Sequence, residues 1–190
     1  MAGLNIVGFA GSSSRPSRTR NLVEAIAEAA AQRSGAKVSI VDLQEIQPSL
    51  GSTLDPRSAP ADLAQLIATI TAADALVVGS PIYKGTYTGL FKHLFDLIEP
   101  KALKGKPIVL SATGGSERHA LAIDHGLRPL FAFFSADIIA TGIYASEPDF
   151  VDYQPHSPGL LKGIERAAEE LDWRLRGKRV EAAEPQRAIA

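Results

Sequence analysis

The chain has no cysteine, and only one methionine and one tryptophan in 190 residues. The first absence rules out disulfides, a thiolate nucleophile and a cysteine-ligated metal. Apolar runs stop at strand length, so none is long enough to span a bilayer as a helix. No basic-then-apolar export leader stands in the first thirty residues. Together these predict a cytoplasmic protein that does not enter membranes. Charge of one sign is also scarce: 20 Lys and Arg against 21 Asp and Glu leave a net charge of −1. That balance offers no electrostatic footprint for nucleic acid. Two phosphate-binding patterns are missing as well, Gly-x-x-x-x-Gly-Lys-Ser/Thr and Gly-x-Gly-x-x-Gly. Their absence argues against a nucleoside triphosphatase and against the dinucleotide fold.

What is present reads as one soluble globular domain. Hydrophobic residues make up 45% of the chain and charged residues 22%, enough apolar content for a substantial core and no bias toward disorder. The domain is assigned to residues 1–176, with a flexible Ala-, Glu- and Arg-rich tail over 177–190. Short Val-, Ile- and Leu-rich runs at Leu4–Ala10, Lys37–Leu43, Ala75–Gly79, Pro107–Ala112 and Asp137–Tyr144 read as strands. Helical patterns lie at Thr19–Ser34, Ala59–Ala73, Thr88–Ile98, Glu117–Phe134 and Pro158–Leu175. Strict alternation with right-handed crossovers predicts an α/β fold, a doubly wound, flavodoxin-like sheet of five parallel strands in the order 2-1-3-4-5 with helices on both faces.

In such a sheet ligands bind beyond the carboxyl ends of the strands. After the first strand comes Gly11-Ser12-Ser13-Ser14-Arg15-Pro16-Ser17-Arg18-Thr19-Arg20, a hydroxyl-rich cationic turn leading into a helix. Free backbone N–H groups, the helix dipole and a guanidinium from Arg15, Arg18 or Arg20 suit a phosphate dianion; the same residues also serve as ordinary helix caps. Ser80-Pro81-Ile82-Tyr83-Lys84-Gly85 follows the third strand, and Thr113-Gly114-Gly115-Ser116 the fourth. Each has a plain reading, as turn chemistry around a packed aromatic and as a helix start. Their coincidence at successive strand ends favours a flat heterocycle with a phosphate tail.

These segments resemble the NAD(P)H-dependent FMN reductases of flavodoxin-like fold, and within them the branch that supplies reduced flavin to alkanesulfonate and methanesulfonate monooxygenases. The likeness rests on Ala10-Gly11-Ser12 with Pro16-Ser17-Arg18, on Pro81-Ile82-Tyr83-Lys84 with Gly89, and on Ala112-Thr113-Gly114-Gly115 with His119 and Ala122-Ile123-Asp124. It covers nearly the whole chain. The resemblance implies FMN and NADH or NADPH as cofactors, with Ser12, Ser17, Arg18, Thr19 and Arg20 around the phosphate. It sets Pro81, Ile82, Tyr83 and Lys84 beside the isoalloxazine and Thr113, Gly114, Gly115 and Ser116 on its other edge. Ser14 joins the candidate set where the family often carries an Arg, and Arg15 follows it. His125 stands where sulfonate-linked relatives often have Tyr in a π-type turn at a subunit interface; an ordinary surface histidine is the alternative.

The chemistry then belongs to the cofactor, and no side-chain nucleophile or general acid is expected. Ser12, His119 and Asp124 could be drawn as a triad, but no Gly-x-Ser-x-Gly elbow supports one. The pairs His93 with Asp96 and His119 with Asp124 fall short of a three-ligand metal set. Apolar positions at Leu90, Phe91, Leu94, Phe95 and Ile98, with Phe131, Phe133 and Phe134, suit a core or a dimer or tetramer interface. The resemblance favours a homo-oligomer that hands reduced flavin to an FMNH2-dependent monooxygenase. Two other functions fit the same site: a quinone, azo-dye or chromate reductase with tightly bound FMN, and an electron-carrying flavodoxin.

Overall fold

The computed structural model describes residues 3–183. Its central sheet is built from β1 (Asn5–Ala10), β2 (Lys37–Asp42), β3 (Ala75–Tyr83) and β5 (Pro107–Gly114), with the short strand β4 (Thr86–Tyr87) paired antiparallel to the end of β3. The order is β2-β1-β3-β5, all parallel, and the fifth place is taken by two short strands, β6 (Asp137–Ile138) and β7 (Ile143–Ser146). β6 pairs with the start of β5 and β7 with its end, through registers Ile108 to Ile138 and Ala112 to Tyr144. The five-strand flavodoxin-like order is therefore the observed one, with the last strand broken at residues 139–142. Arg128 Nη2 donates to the Ala140 carbonyl at 2.7 Å, and Glu170 accepts from the amide and hydroxyl of Thr141 at 2.9 and 2.6 Å. Backbone groups that a neighbouring strand would have satisfied thus find side-chain partners.

Helices α1 (Arg18–Ser34) and α6 (Pro158–Ala183) cover one face of the sheet. The other face carries α2 (Leu43–Ser52), α3 (Ala61–Ala72), α4 (Gly89–Asp96) and α5 (Arg128–Phe133). The strands divide their side chains with period two, as a sheet buried on both sides requires. In β3, Leu76 and Val78 pack toward α3 and α4 while Ala75 and Val77 pack toward α1 and α6. Five phenylalanines, Phe9, Phe91, Phe95, Phe131 and Phe134, form the aromatic heart of the α3–α5 side, with Phe95 touching the other four. Close approach on the opposite side depends on Gly79, where a Cβ would stand 2.5 Å from Val23 and 2.6 Å from the Ser111 hydroxyl.

Several element boundaries differ from the periodicity. α2 was not expected, because Pro48 inside it and the polar residues around its buried Leu43, Ile46 and Leu50 blur the apolar stripe. The single helix expected over Glu117–Phe134 is three pieces: a 3₁₀ turn at Glu117–His119, a five-residue π-helical turn at Ile123–Leu127, and α5. The π turn does occur at His125, within a segment closed by the Arg128 amide donating to the Ile123 carbonyl five residues back. α6 continues to Ala183 rather than ending at Leu175, so the expected tail begins as helix; residues 184–190 lie outside the described residues.

Near the C-terminal end, Asp149 closes a capping box on Ser146. Burial pushes its carboxyl up, but hydrogen bonds from the Ser157 hydroxyl and from the amide and hydroxyl of Ser146 outweigh this and hold it below the usual range. A depressed native pKa stabilises the fold above the unfolded-state value and loses that contribution as pH falls through the native one. Against Asp149→Asn, the wild-type advantage in urea midpoint is expected to be complete above about pH 5 and to shrink steadily below about pH 4. A difference independent of pH would contradict this.

Candidate functional site

The carboxyl ends of β1, β3, β5 and β7 converge on a cleft of about 250 Å³. Its floor is tied together across strands: the Gly11 amide donates to the Gly79 carbonyl at 2.6 Å, and the buried hydroxyls of Thr19 and Thr113 are 2.6 Å apart. The Thr19–Thr113 contact joins the turn after β1 to the loop after β5, ninety-four residues away in sequence.

One end of the cleft is polar and cationic. Ser12, Ser14, Pro16, Ser17, Arg18 and Thr19 line it. Ser17 caps α1, accepting from the Arg20 amide at 3.2 Å, while Ser12 accepts from the Ser14 amide at 3.5 Å. The open amides of the first helical turn and the positive end of the α1 dipole point toward this end. α1 has no acidic residue in its first turn to offset that field. An anion such as a phosphate is matched here by hydroxyl donors, one guanidinium and a helix start.

The other end is flat and largely apolar. Pro81, Ile82 and Tyr83 line one side, and Thr113, Gly114 and Gly115 the other. Tyr83 leads into a two-residue hairpin turn, Lys84-Gly85, where both residues have positive φ (54° and 92°). That conformation is the tight turn matched to strand twist, and glycine relieves the strain at its second position. The turn leaves Tyr83 half exposed, at 56%, on the rim. On the opposite side the Tyr144 hydroxyl donates to the Ser116 carbonyl at 2.5 Å, and a Cβ on Gly114 would strike that hydroxyl. Burial, and then the nearby Glu117 carboxylate, push the Tyr144 phenol up, so it remains a donor near neutrality. Two glycines and a proline leave room for a ring system between the walls.

Of the fourteen residues singled out from sequence, eleven line this cleft: Ser12, Ser14, Ser17, Arg18, Thr19, Pro81, Ile82, Tyr83, Thr113, Gly114 and Gly115. Three do not. Arg20 pairs with Glu24 at 2.9 Å and Asp42 at 3.2 Å, Lys84 lies exposed in the hairpin turn, and Ser116 contributes its carbonyl to Tyr144. Arg15 likewise turns to Asp42 and Glu45, which hold its guanidinium even further above neutrality. Sequence reasoning missed Ala145, Ser146 and Tyr153 as lining residues. The first two end β7 and obey the same strand-end rule that found the other loops. Tyr153 reaches the cleft from the tip of a hairpin between β8 (Phe150–Val151) and β9 (Gln154–Pro155). It is held there by Asn21 Nδ2 donating to its carbonyl at 3.0 Å, and the Arg18 guanidinium lies 5.3 Å from its ring centre. Arg18 also pairs with the exposed Glu147 at 2.6 Å.

His125 is outside the cleft. It borders a hollow of about 580 Å³ with Tyr87 and Phe133, on the face made by the β3–β4 hairpin, α4 and α5. Among the described residues, no three His, Asp or Glu side chains gather as a metal-binding set, and no helix is long and apolar enough to cross a membrane.

This architecture is shared. A structure of an oxidoreductase from Corynebacterium diphtheriae superposes with a TM-score of 0.82 at 34% identity, covering 92% of this chain and 98% of that one. The chain is 46% identical over 164 residues to the FMN reductase (NADPH) of Pseudomonas aeruginosa, covering 86% of this chain and 88% of the relative. It is equally 46% identical over 166 residues to the NADH-dependent FMN reductase SfnE of Pseudomonas putida, covering 87% and 89%. Residues 4–150, which span the cationic turn after β1, the Tyr83 hairpin and the Gly114-Gly115 loop, match the family described as NADPH-dependent FMN reductase. Strand-end cleft, cationic turn and sequence kinship agree: the chain belongs to the NADPH-dependent FMN reductase family.

Proposed function

We propose that this protein uses NADH or NADPH to reduce FMN that it takes up and releases as a substrate, and that it supplies the reduced flavin to an FMNH2-dependent sulfonate monooxygenase. The observation that carries this reading is the two-ended cleft, in which a hydroxyl and guanidinium end faces a flat, glycine- and proline-walled end. Ser12, Ser14, Ser17, Arg18 and Thr19 would hold the phosphate. Pro81, Ile82, Tyr83, Thr113, Gly114 and Gly115 would flank the isoalloxazine. Bound FMN supplies the hydride-accepting centre, so the protein needs no nucleophile of its own. Its residues orient the ring, keep water from the apolar walls and leave one face open for the nicotinamide. The kinship with relatives named as NADH-dependent FMN reductases SfnE and SfnF supports the sulfonate role.

A homodimer or homotetramer is part of the same proposal. The exposed Phe133, at 70%, and Leu121, at 62%, stand on the face around the hairpin and the π turn, where a second copy would cover them. The near-neutral net charge of −1 disfavours an electron carrier, which docks through a strongly acidic face.

Steady-state oxidation of NADH and NADPH by flavin-stripped protein, with FMN titrated in, tests the substrate role. The rate is expected to saturate with free FMN far above one equivalent per chain. Full turnover at one FMN per chain, with rates that follow added quinone, would instead identify a reductase with resident flavin.

A further inference from the structure

The turn after β1 carries Arg15, Arg18 and Arg20 within six residues, yet the fold treats them differently. Arg18 lines the cleft, whereas Arg15 and Arg20 converge on Asp42. Asp42 ends β2, and its Cα pairs with that of Ala10, the last residue of β1 before the turn. Its side chain is 1% exposed. Oδ2 accepts from Arg15 Nε at 2.9 Å and forms ion pairs with Arg15 Nη2 at 2.7 Å and Arg20 Nε at 3.2 Å, while Asp42 Oδ1 and Arg20 Nε are buried without a hydrogen bond among the described residues. This carboxylate is not among the residues that line the cleft, so holding flavin gives it no direct role.

Its position gives it an indirect one. Arg15 stands between Ser14 and Pro16, both of which line the cleft. Its side chain is 45% exposed, and its backbone belongs to the turn whose flanking residues line the phosphate end. We propose that Asp42 is a positioning residue that withholds Arg15 from the phosphate end of the cleft, so that Arg18 is the guanidinium offered to the flavin phosphate and FMN stays exchangeable. This rests on the cleft being the FMN site and deepens that reading: it names the group that sets how long the substrate flavin remains. Asp42 itself touches no reacting atom.

Replacing Asp42 by Asn keeps the shape and removes the charge. Arg20 retains Glu24 at 2.9 Å. Arg15 retains only Glu45, at the surface, where an ion pair is weak. A phosphate dianion is then the strongest acceptor within reach, and one more charge-assisted contact is worth roughly tenfold in affinity.

The test is titration calorimetry and stopped-flow release with FMN and riboflavin. Asp42→Asn is expected to bind FMN about tenfold more tightly and release it correspondingly more slowly, with riboflavin within about twofold of wild type. Adding Arg15→Ala to Asp42→Asn is expected to return FMN affinity to near the wild-type value. A general structural effect of the substitution would not distinguish the two ligands or be reversed by a second truncation. If Asp42→Asn does not fold, Glu45→Gln loosens the same arginine from the surface, and a two- to threefold gain for FMN alone is expected on the order-of-magnitude value of an exposed pair. FMN affinity unchanged or weakened in the folded variant, an equal gain for riboflavin, or a gain that survives Arg15→Ala would each overturn the proposal. Failure of the FMN reading is separable, because Arg18→Ala would then affect FMN no more than riboflavin.

Discussion

Arg18→Ala is expected to weaken FMN binding about tenfold to a hundredfold while leaving riboflavin within about twofold, the range set by a charge-assisted hydrogen bond of about 1.5–3 kcal/mol. Arg18 is the first residue of α1, just after the Ser17 cap, so its guanidinium and the helix dipole act on the same end of the cleft. The guanidinium packs over Tyr153 and pairs with Glu147, both on the segment that closes that end. Truncation removes the positive charge and leaves the Glu147 carboxylate facing an incoming phosphate, so the two effects add. Riboflavin has the same ring system without the phosphate and should not sense either change. Calorimetry with both ligands reads the ratio, and equal losses would place the phosphate elsewhere. Arg20, paired with Glu24 and Asp42, should matter less than its sequence position suggests.

The second large effect is on stability. Phe95→Ala is expected to cost about 3–5 kcal/mol, the range for deleting a buried aromatic ring. Phe95 is essentially fully buried and meets Phe131 at 4.8 Å, Phe91 at 5.0 Å, Phe9 at 5.9 Å and Phe134 at 6.4 Å between ring centres. These rings come from β1, from its own helix α4 and from α5 with its C-cap, so no single side chain can move in to fill the space. The melting temperature should fall by roughly 10 °C, given about 2–4 °C per kcal/mol for a domain of this size. Leu54→Ser is the contrast, because Leu54 is exposed and the change should stay within about 0.5 kcal/mol. A loss at Phe95 no larger than that at Leu54 would mean that the aromatic cluster is not the core it looks like.

The sheet and most of the site were legible because both depend on local signals. Runs such as Ile6–Ala10 and Ile108–Ala112 are too apolar and too short to be anything but buried strands in an alternating chain, and the strand-end rule then names the loops. Asp42 was not legible as a partner of Arg15 because it lies 27 residues away and only the parallel pairing of β1 with β2 brings them together. Tyr153 was not legible as a lining residue for a similar reason: its reach into the cleft depends on the β8–β9 hairpin and on Asn21, neither of which leaves an amphipathic pattern. The split of the fifth strand was hidden because Asp137–Tyr144 is apolar enough to read as continuous. What interrupts it is a tertiary matter, the capture of Ala140 and Thr141 by Arg128 and Glu170.

The wide turn at Ile123–Leu127 stores one residue more than an α-helical path of the same rise would use. Chains of this architecture that are one residue shorter at this point can therefore set α5 against the sheet in the same place, so an insertion or deletion here edits the outer surface while the aromatic interior keeps its geometry. The segment works as a slack loop in an otherwise taut thread, a place where lineages can change length without refitting what lies beneath.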